Sequence, residues 1–200
     1  MNFLHNTYSI ILRKLKINLF LFKLRRKKIK LGENVIFKGI PHIQIHDNAE
    51  LSIADNAVIN SENKGYHLSM FGPCKLMLDR PTSKIHIGSN SRIHGSCIHA
   101  KKSIVIGDNC LVAANCQIMD SNGHDASFPN VHERIHTSGK AADIVIEDNV
   151  WLGTGVVVLP GVTIGYGSII SANSVVHKNI PAMTVAGGNP IQIIKSYAEK

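Results

Sequence analysis

From Ile144 to Asn179 the chain reads IVIEDNVWLGTGVVVLPGVTIGYGSIISANSVVHKN, and its apolar residues recur every six positions. Ile146, Leu152, Val158, Ile164, Ile170 and Val176 form an unbroken series. A period of six suits neither an α-helix nor a plain alternating strand. It suits a short strand followed by a tight corner, repeated. The anchor points inward, and residues two positions away share its face. Gly153 and Gly165 follow anchors, while Asn149, Asn173 and Asn179 lie three after them. Both residue types accept positive φ at a corner. Three such sides make a coil whose perimeter is about 60 Å, a triangle with sides of roughly 20 Å.

The same spacing runs through Ile106, Val112 and Ile118, through Ile87 and Ile93, and through Ile53 and Ile59. A second apolar residue precedes the first anchor of a group by two, as in Ile85/Ile87, Ile104/Ile106 and Ile144/Ile146. Gly88 and Gly107 also follow anchors, and Asn56, Asn90, Asn109 and Asn115 sit at the Asn position. One coil cannot bury its own apolar ladder, so coils must stack. The chain is predicted to be all-β, a parallel β-helix. Its coils cover 43–60, 85–118 and 144–179, with a less regular stretch over 61–84. The segment 1–30 is read as a basic amphipathic helix, and 31–200 as the β-helix domain. Residues 180–200 are expected to form a cap containing a turn and a short C-terminal helix.

Charge is unevenly placed. The net charge is +8, yet residues 1–30 carry nine Lys/Arg and no acid, leaving thirteen basic against fourteen acidic residues in the rest. The body is nearly neutral, which argues against a nucleic-acid groove. The basic, apolar leader fits an anionic membrane surface, and the same helix could instead pack on the solenoid. Arg13, Lys14 and Lys16 interrupt its apolar run, which excludes an ordinary membrane span or secretory signal. Cys74, Cys97, Cys110 and Cys116 show no metal-ligand spacing and are read as free thiols in a reducing cytosol. No metal is expected.

Residues 119–143 break the period and should protrude. The segment holds Asp120-Ser-Asn-Gly-His124-Asp125, Phe128-Pro129 and His132-Glu-Arg-Ile-His136, three of the eleven histidines. Long irregular segments on a rigid frame usually carry function.

Several stretches together resemble the hexapeptide-repeat acyltransferases, the branch of galactoside, maltose and bacterial polysaccharide O-acetyltransferases. They are Asp148-Asn-Val-Trp-Leu-Gly153, Leu159-Pro-Gly-Val-Thr-Ile-Gly165, Ser174-Val-Val-His-Lys-Asn-Ile-Pro181 and Ala186-Gly-Gly-Asn-Pro190. The resemblance is strongest from Ile104 to Lys195. It implies a left-handed β-helix, a homotrimer, and acetyl-CoA as acyl donor. It places His124 as general base, with Asp125, Glu133 or a backbone carbonyl orienting it. It assigns CoA binding to Gly153, Thr154, Ala172, Lys178 and Lys195, the first two near the oxyanion. Gln192, Ile191 and His177 depart from the family's usual residues at the phosphate end. Trp151, His94 and Asp120 are expected to line the acceptor or thioester region.

The implied activity is acetyl transfer to a sugar hydroxyl, in capsule, lipopolysaccharide or exopolysaccharide synthesis. The implied location is cytoplasmic, at the inner face of the membrane if the leader binds lipid. Other readings stay open: N-acetylation of a nucleotide-linked amino sugar, a γ-carbonic-anhydrase-like metalloenzyme, or a non-catalytic scaffold. No three histidines show the coil-related spacing that a shared metal would need.

Overall fold

A computed structural model describes residues 29–197 together with Ile17, Leu19, Phe20 and Phe22. Among the described residues, twenty strands follow one another along the chain. The first coil is β1 (Ile29–Leu31), β2 (Ile36–Lys38) and β3 (His42–Ile45), and the second is β4 (Glu50–Ile53), β5 (Val58–Asn60) and β6 (Lys75–Leu78). The third is β7 (Lys84–Ile87), β8 (Arg92–His94) and β9 (Cys97–Ala100), and the fourth is β10 (Ser103–Ile106), β11 (Leu111–Val112) and β12 (Gln117–Met119). The fifth is β13 (Ile144–Ile146), β14 (Trp151–Leu152) and β15 (Val157–Val158), and the sixth is β16 (Thr163–Ile164), β17 (Ile169–Ile170) and β18 (Val175–Val176). A hairpin of β19 (Thr184–Gly187) and β20 (Gln192–Ser196) closes the chain.

Every third strand pairs in parallel, giving three flat walls. The first wall runs β1-β4-β7-β10-β13-β16 and the second β2-β5-β8-β11-β14-β17-β19-β20. The third runs β3-β6-β9-β12-β15-β18. The anchors stack directly: Ile87, Ile106, Ile146 and Ile164 in the first wall, and Ile93, Val112, Leu152 and Ile170 in the second. All are buried.

Corners are stitched from coil to coil. Asp55, Asp108 and Asp148 each accept a backbone N–H from the coil above: Glu33 at 2.7 Å, Ser89 at 2.6 Å and Asp108 at 2.8 Å. Asn34, Asn56, Asn90, Asn109, Asn115, Asn149 and Asn173 adopt positive φ. Asn179 instead accepts the Thr163 N–H at 2.8 Å. The glycines after anchors serve close stacking. A Cβ on Gly153 would come within 2.6 Å of the Ala172 nitrogen.

Four boundaries differ from the sequence reading. The first coil begins at Ile29, inside the segment assigned to the leader. Regular wall resumes at Lys75, so the irregular stretch is only 61–74. Met119 still belongs to β12, and the loop is 120–143. The expected C-terminal helix is a strand: β20 pairs antiparallel with β19, because the end of the second wall offers an unpaired edge and Ile193-Ile194 favour extended backbone.

Of the leader, Ile17, Leu19, Phe20 and Phe22 are helical. Phe20 meets Phe37 of the first coil edge-on, ring centroids 5.5 Å apart. Leu19 and Phe22 are 57% and 55% exposed. The rest of the 1–28 reading lies outside the described residues. Among the described residues, no helix is long and apolar enough to cross a membrane.

Candidate active site

The 120–143 loop leaves the corner between the third and first walls. Its root is fixed by Asp120, whose buried carboxylate accepts the Lys101 and Lys102 backbone N–H groups at 2.8 and 2.7 Å. That residue, expected to line the acceptor region, is thus engaged in holding the corner. Ser121 bridges Ala141, and Gly139 donates to the Gly123 carbonyl at 2.9 Å. A 3₁₀ turn, Val131–His136, fills the loop's outer half. Arg134 donates twice to the Ala126 carbonyl, at 3.1 and 2.8 Å, and lies over the Phe128 ring.

This frame holds His124. Its Nδ1 lies 3.1 Å from both the Arg134 and Thr137 carbonyl oxygens. Carbonyls only accept, so Nδ1 carries the proton and Nε2 keeps its lone pair. The orienting groups are therefore backbone carbonyls. Asp125 bonds the Ser127 N–H, and Glu133 faces His132. The ring is exposed, and among the described residues Nε2 meets no protein partner.

A groove of about 690 Å³ runs along the second wall and its corner with the third. Trp151, Gly153, Thr154, Ala172 and His94 all line it. Leu111, Trp151 and Ile169 stack as neighbours on its floor. At equivalent places on three successive corners stand Ala114, Thr154 and Ala172. The Ala114 backbone N–H is turned to the Tyr66 hydroxyl, opposing the upward push of burial on that phenol. Among the described residues, the Thr154 and Ala172 N–H groups meet no protein acceptor. They form two open rungs, about 4.8 Å apart, along an apolar trough.

One wall of the groove escaped the sequence reading. The 61–74 excursion folds back over the corner, and Tyr66 stacks on His94 with centroids 4.3 Å apart and planes 13° apart. The Asn60 carboxamide accepts the Glu62 N–H, which orients its nitrogen toward His94 Nδ1 at 3.1 Å. His94 Nδ1 accepts, so its Nε2 carries the hydrogen. Burial first, then the charges of Lys38, Arg92 and His67, push the imidazole down to about 4. The irregular stretch itself is legible, since the six-residue period breaks after Asn60, but nothing local places Tyr66 on His94.

Lys178 and Lys195 lie away from this lining, at the C-terminal end of the solenoid. Both are exposed, and the Lys195 ammonium sits over the Tyr197 ring. His124 does not line the groove either. The four cysteines are free thiols, and burial raises each of them, Cys116 to about 11. Among the described residues no His/Cys/Asp/Glu group is placed to hold a metal.

Stacked six-residue corners, an apolar trough with open amide rungs and a loop-borne imidazole define a solenoid transferase. Residues 143–178 match the family of bacterial transferase hexapeptide (six repeats), and residues 84–119 match the hexapeptide repeat of succinyl-transferase. Saccharomyces cerevisiae YJL218W, assigned as an acetyltransferase, is 36% identical over 168 residues, 79% of this chain and 81% of that one. Escherichia coli WbbJ, assigned as a lipopolysaccharide biosynthesis O-acetyl transferase, is 40% identical over 114 residues, 54% of this chain. The chain spans only 56% of WbbJ. A galactoside acetyltransferase in complex with coenzyme A superposes with a TM-score of 0.59 at 27% identity, covering 88% of this chain and 68% of that one. The chain belongs to the hexapeptide-repeat acetyltransferases, enzymes built on a left-handed parallel β-helix.

Proposed function

We propose that this protein transfers an acetyl group from acetyl-CoA to a sugar hydroxyl, with His124 as general base, in the building of a surface glycan. The observation that carries the reading is the fixed tautomer of His124: two carbonyls hold Nδ1–H and leave Nε2 to accept a proton. The pantetheine arm suits the trough, where one of its amide oxygens would accept from the Ala172 N–H group. The acceptor oxygen attacks the thioester carbon while its proton passes to Nε2. The C–S bond then breaks, and the thiolate recovers that proton from the imidazolium. The Gly153 N–H is engaged by the Ile170 carbonyl, so the Thr154 N–H, the upper open rung, would serve the transient oxyanion.

The base and the trough lie on different corners of the triangle, about 20 Å apart. One chain cannot bring them together, so the reading requires a cyclic homo-oligomer, a trimer, in which each loop serves its neighbour's groove. Lys178 and Lys195 would meet the CoA phosphates from the C-terminal end. Replacing His124 by Ala is expected to lower kcat for thiol release from acetyl-CoA by about 10²–10⁴-fold. A loss under twofold would remove His124 from the chemistry.

The leader supports placement at the inner face of the cytoplasmic membrane, where lipid-linked glycans are assembled. Phe20 faces the first coil while Leu19 and Phe22 face outward, in a segment with nine basic residues and no acid. Deleting residues 1–28 should move the protein from membrane pellet to supernatant; an unchanged distribution defeats this placement.

A further inference from the structure

The groove is chemically divided along its length. Its lower floor, over β11, β14 and β17, is apolar. Its upper end, beside β8, carries one guanidinium and two imidazoles. Arg92, His67 and His94 line that end, and no acidic side chain lines any part of the groove among the described residues. Lys38 extends the set, since Lys38, Asn60 and His94 are lateral neighbours on the second wall. Glu62, at the root of the excursion, is not part of the lining.

The height of the 120–143 loop tells which part of a bound donor meets this end. Arg80, just past β6, donates to Ser138 Oγ at 3.3 Å, and the Lys101 ammonium, just past β9, lies 3.5 Å from the Gly123 carbonyl oxygen. The loop therefore rests against the second, third and fourth coils. A cyclic assembly about an axis parallel to the solenoid keeps heights unchanged from one copy to the next. The neighbour's His124 then arrives level with β8 and β11, some three strands, or about 14 Å, above the last parallel strands of the groove. The thioester belongs at that level, and the nucleotide end of CoA runs away from it. What borders Arg92, His67 and the His94 Nε2–H is the acceptor.

We infer that the acceptor is an anionic sugar, its carboxylate or phosphate held by Arg92 and His67 beside the Tyr66–His94 pair. This rests on the acetyltransferase reading and narrows its substrate class. Arg92 supplies a fork of N–H donors suited to either group. His94, fixed as a neutral donor by Asn60, supplies a directed hydrogen bond without competing for the charge. Tyr66 closes the upper end by occupying the Ala114 rung.

The test compares methyl glucuronide, glucose 1-phosphate and methyl glucoside as acceptors with acetyl-CoA as donor. Their binding to the CoA-loaded protein is followed in parallel by the fluorescence of Trp151, the chain's single Trp. The anionic acceptors should exceed the neutral one by about tenfold or more in kcat/KM and in affinity. Arg92→Gln should erase most of that ratio through acceptor KM, with KM for acetyl-CoA moving less than twofold. Equal use and equal binding of charged and neutral sugars overturns the inference. So does an Arg92→Gln effect confined to acetyl-CoA, which would give this guanidinium to the CoA phosphates. Failure of the parent reading is separately visible: no acceptor would then stimulate thiol release, while the binding preference would still decide the charge question.

Discussion

His94 and His124 show how two imidazoles in one protein are set to opposite tasks by which ring nitrogen is engaged. At His124 two carbonyls accept the Nδ1–H hydrogen bond, and the Nε2 lone pair is left to act as a base. At His94 the Asn60 amide fills Nδ1, and the ring offers a donor. The folded protein holds His94 at about 4, against 6.5 in an open chain, mainly through burial and further through Lys38, Arg92 and His67. Between those values the unfolded chain binds a proton that the folded one refuses. Stability therefore rises with pH across that window, is complete above about 6.5, and is lost as pH falls through about 4. Urea unfolding of His94→Gln at several pH values should show a flatter slope than wild type between pH 4 and 6.5. Parallel slopes would mean that the ring titrates normally in place.

At the scale of elements, the two excursions are held quite differently from the walls they interrupt. The 61–74 segment is pinned by side-chain clamps. Asn63 exchanges two bonds with Met70, and Asn115 accepts the Phe71 N–H at 2.9 Å while donating to the Ser69 carbonyl at 3.0 Å. Phe71 itself is 93% exposed. Asn115→Gly keeps the positive φ that the corner needs and deletes one clamp. Proteolysis between residues 63 and 71 should quicken and acceptor KM should rise, with the global unfolding midpoint nearly unchanged. A lowered midpoint with unchanged local cleavage would mean that the clamp belongs to the core. The walls themselves were readable because each anchor repeats one physical requirement, an inward apolar side chain every sixth residue. Leu31, Phe37 and Ile43 obey the same spacing, but the basic run before them masked the first coil. The excursions carry no period, so their presence was visible and their folded paths were not. His124 is proposed as the base by resemblance, whereas the carbonyls of Arg134 and Thr137 that orient its ring have no side-chain signature. Tyr66 was missed for the same reason: nothing local says that it crosses a corner to stack on His94. The terminal strand was misread as a helix because its partner, β19, is supplied by tertiary structure.

At the scale of the whole molecule, a triangular solenoid separates what chemistry must unite. Groove and loop occupy different corners of one rigid prism, and a stacked wall of strands has no hinge that could close the gap. In the cyclic assembly proposed above, rotation symmetry would solve this without motion, because copies set corner to corner would present each loop to the next groove at constant height. The arrangement predicts complementation. His124→Ala removes the base but leaves the groove; Ala172→Phe, at an exposed lining position, blocks the groove but leaves the base. Each variant alone should be nearly inactive. Refolded together in equal amounts, they form mixed assemblies in which one interface in about four pairs an intact loop with an intact groove. Activity should return to about a quarter of the wild-type value. If base and groove worked within a single chain, no mixture of these two variants would recover anything, and the assembly would be incidental to the reaction.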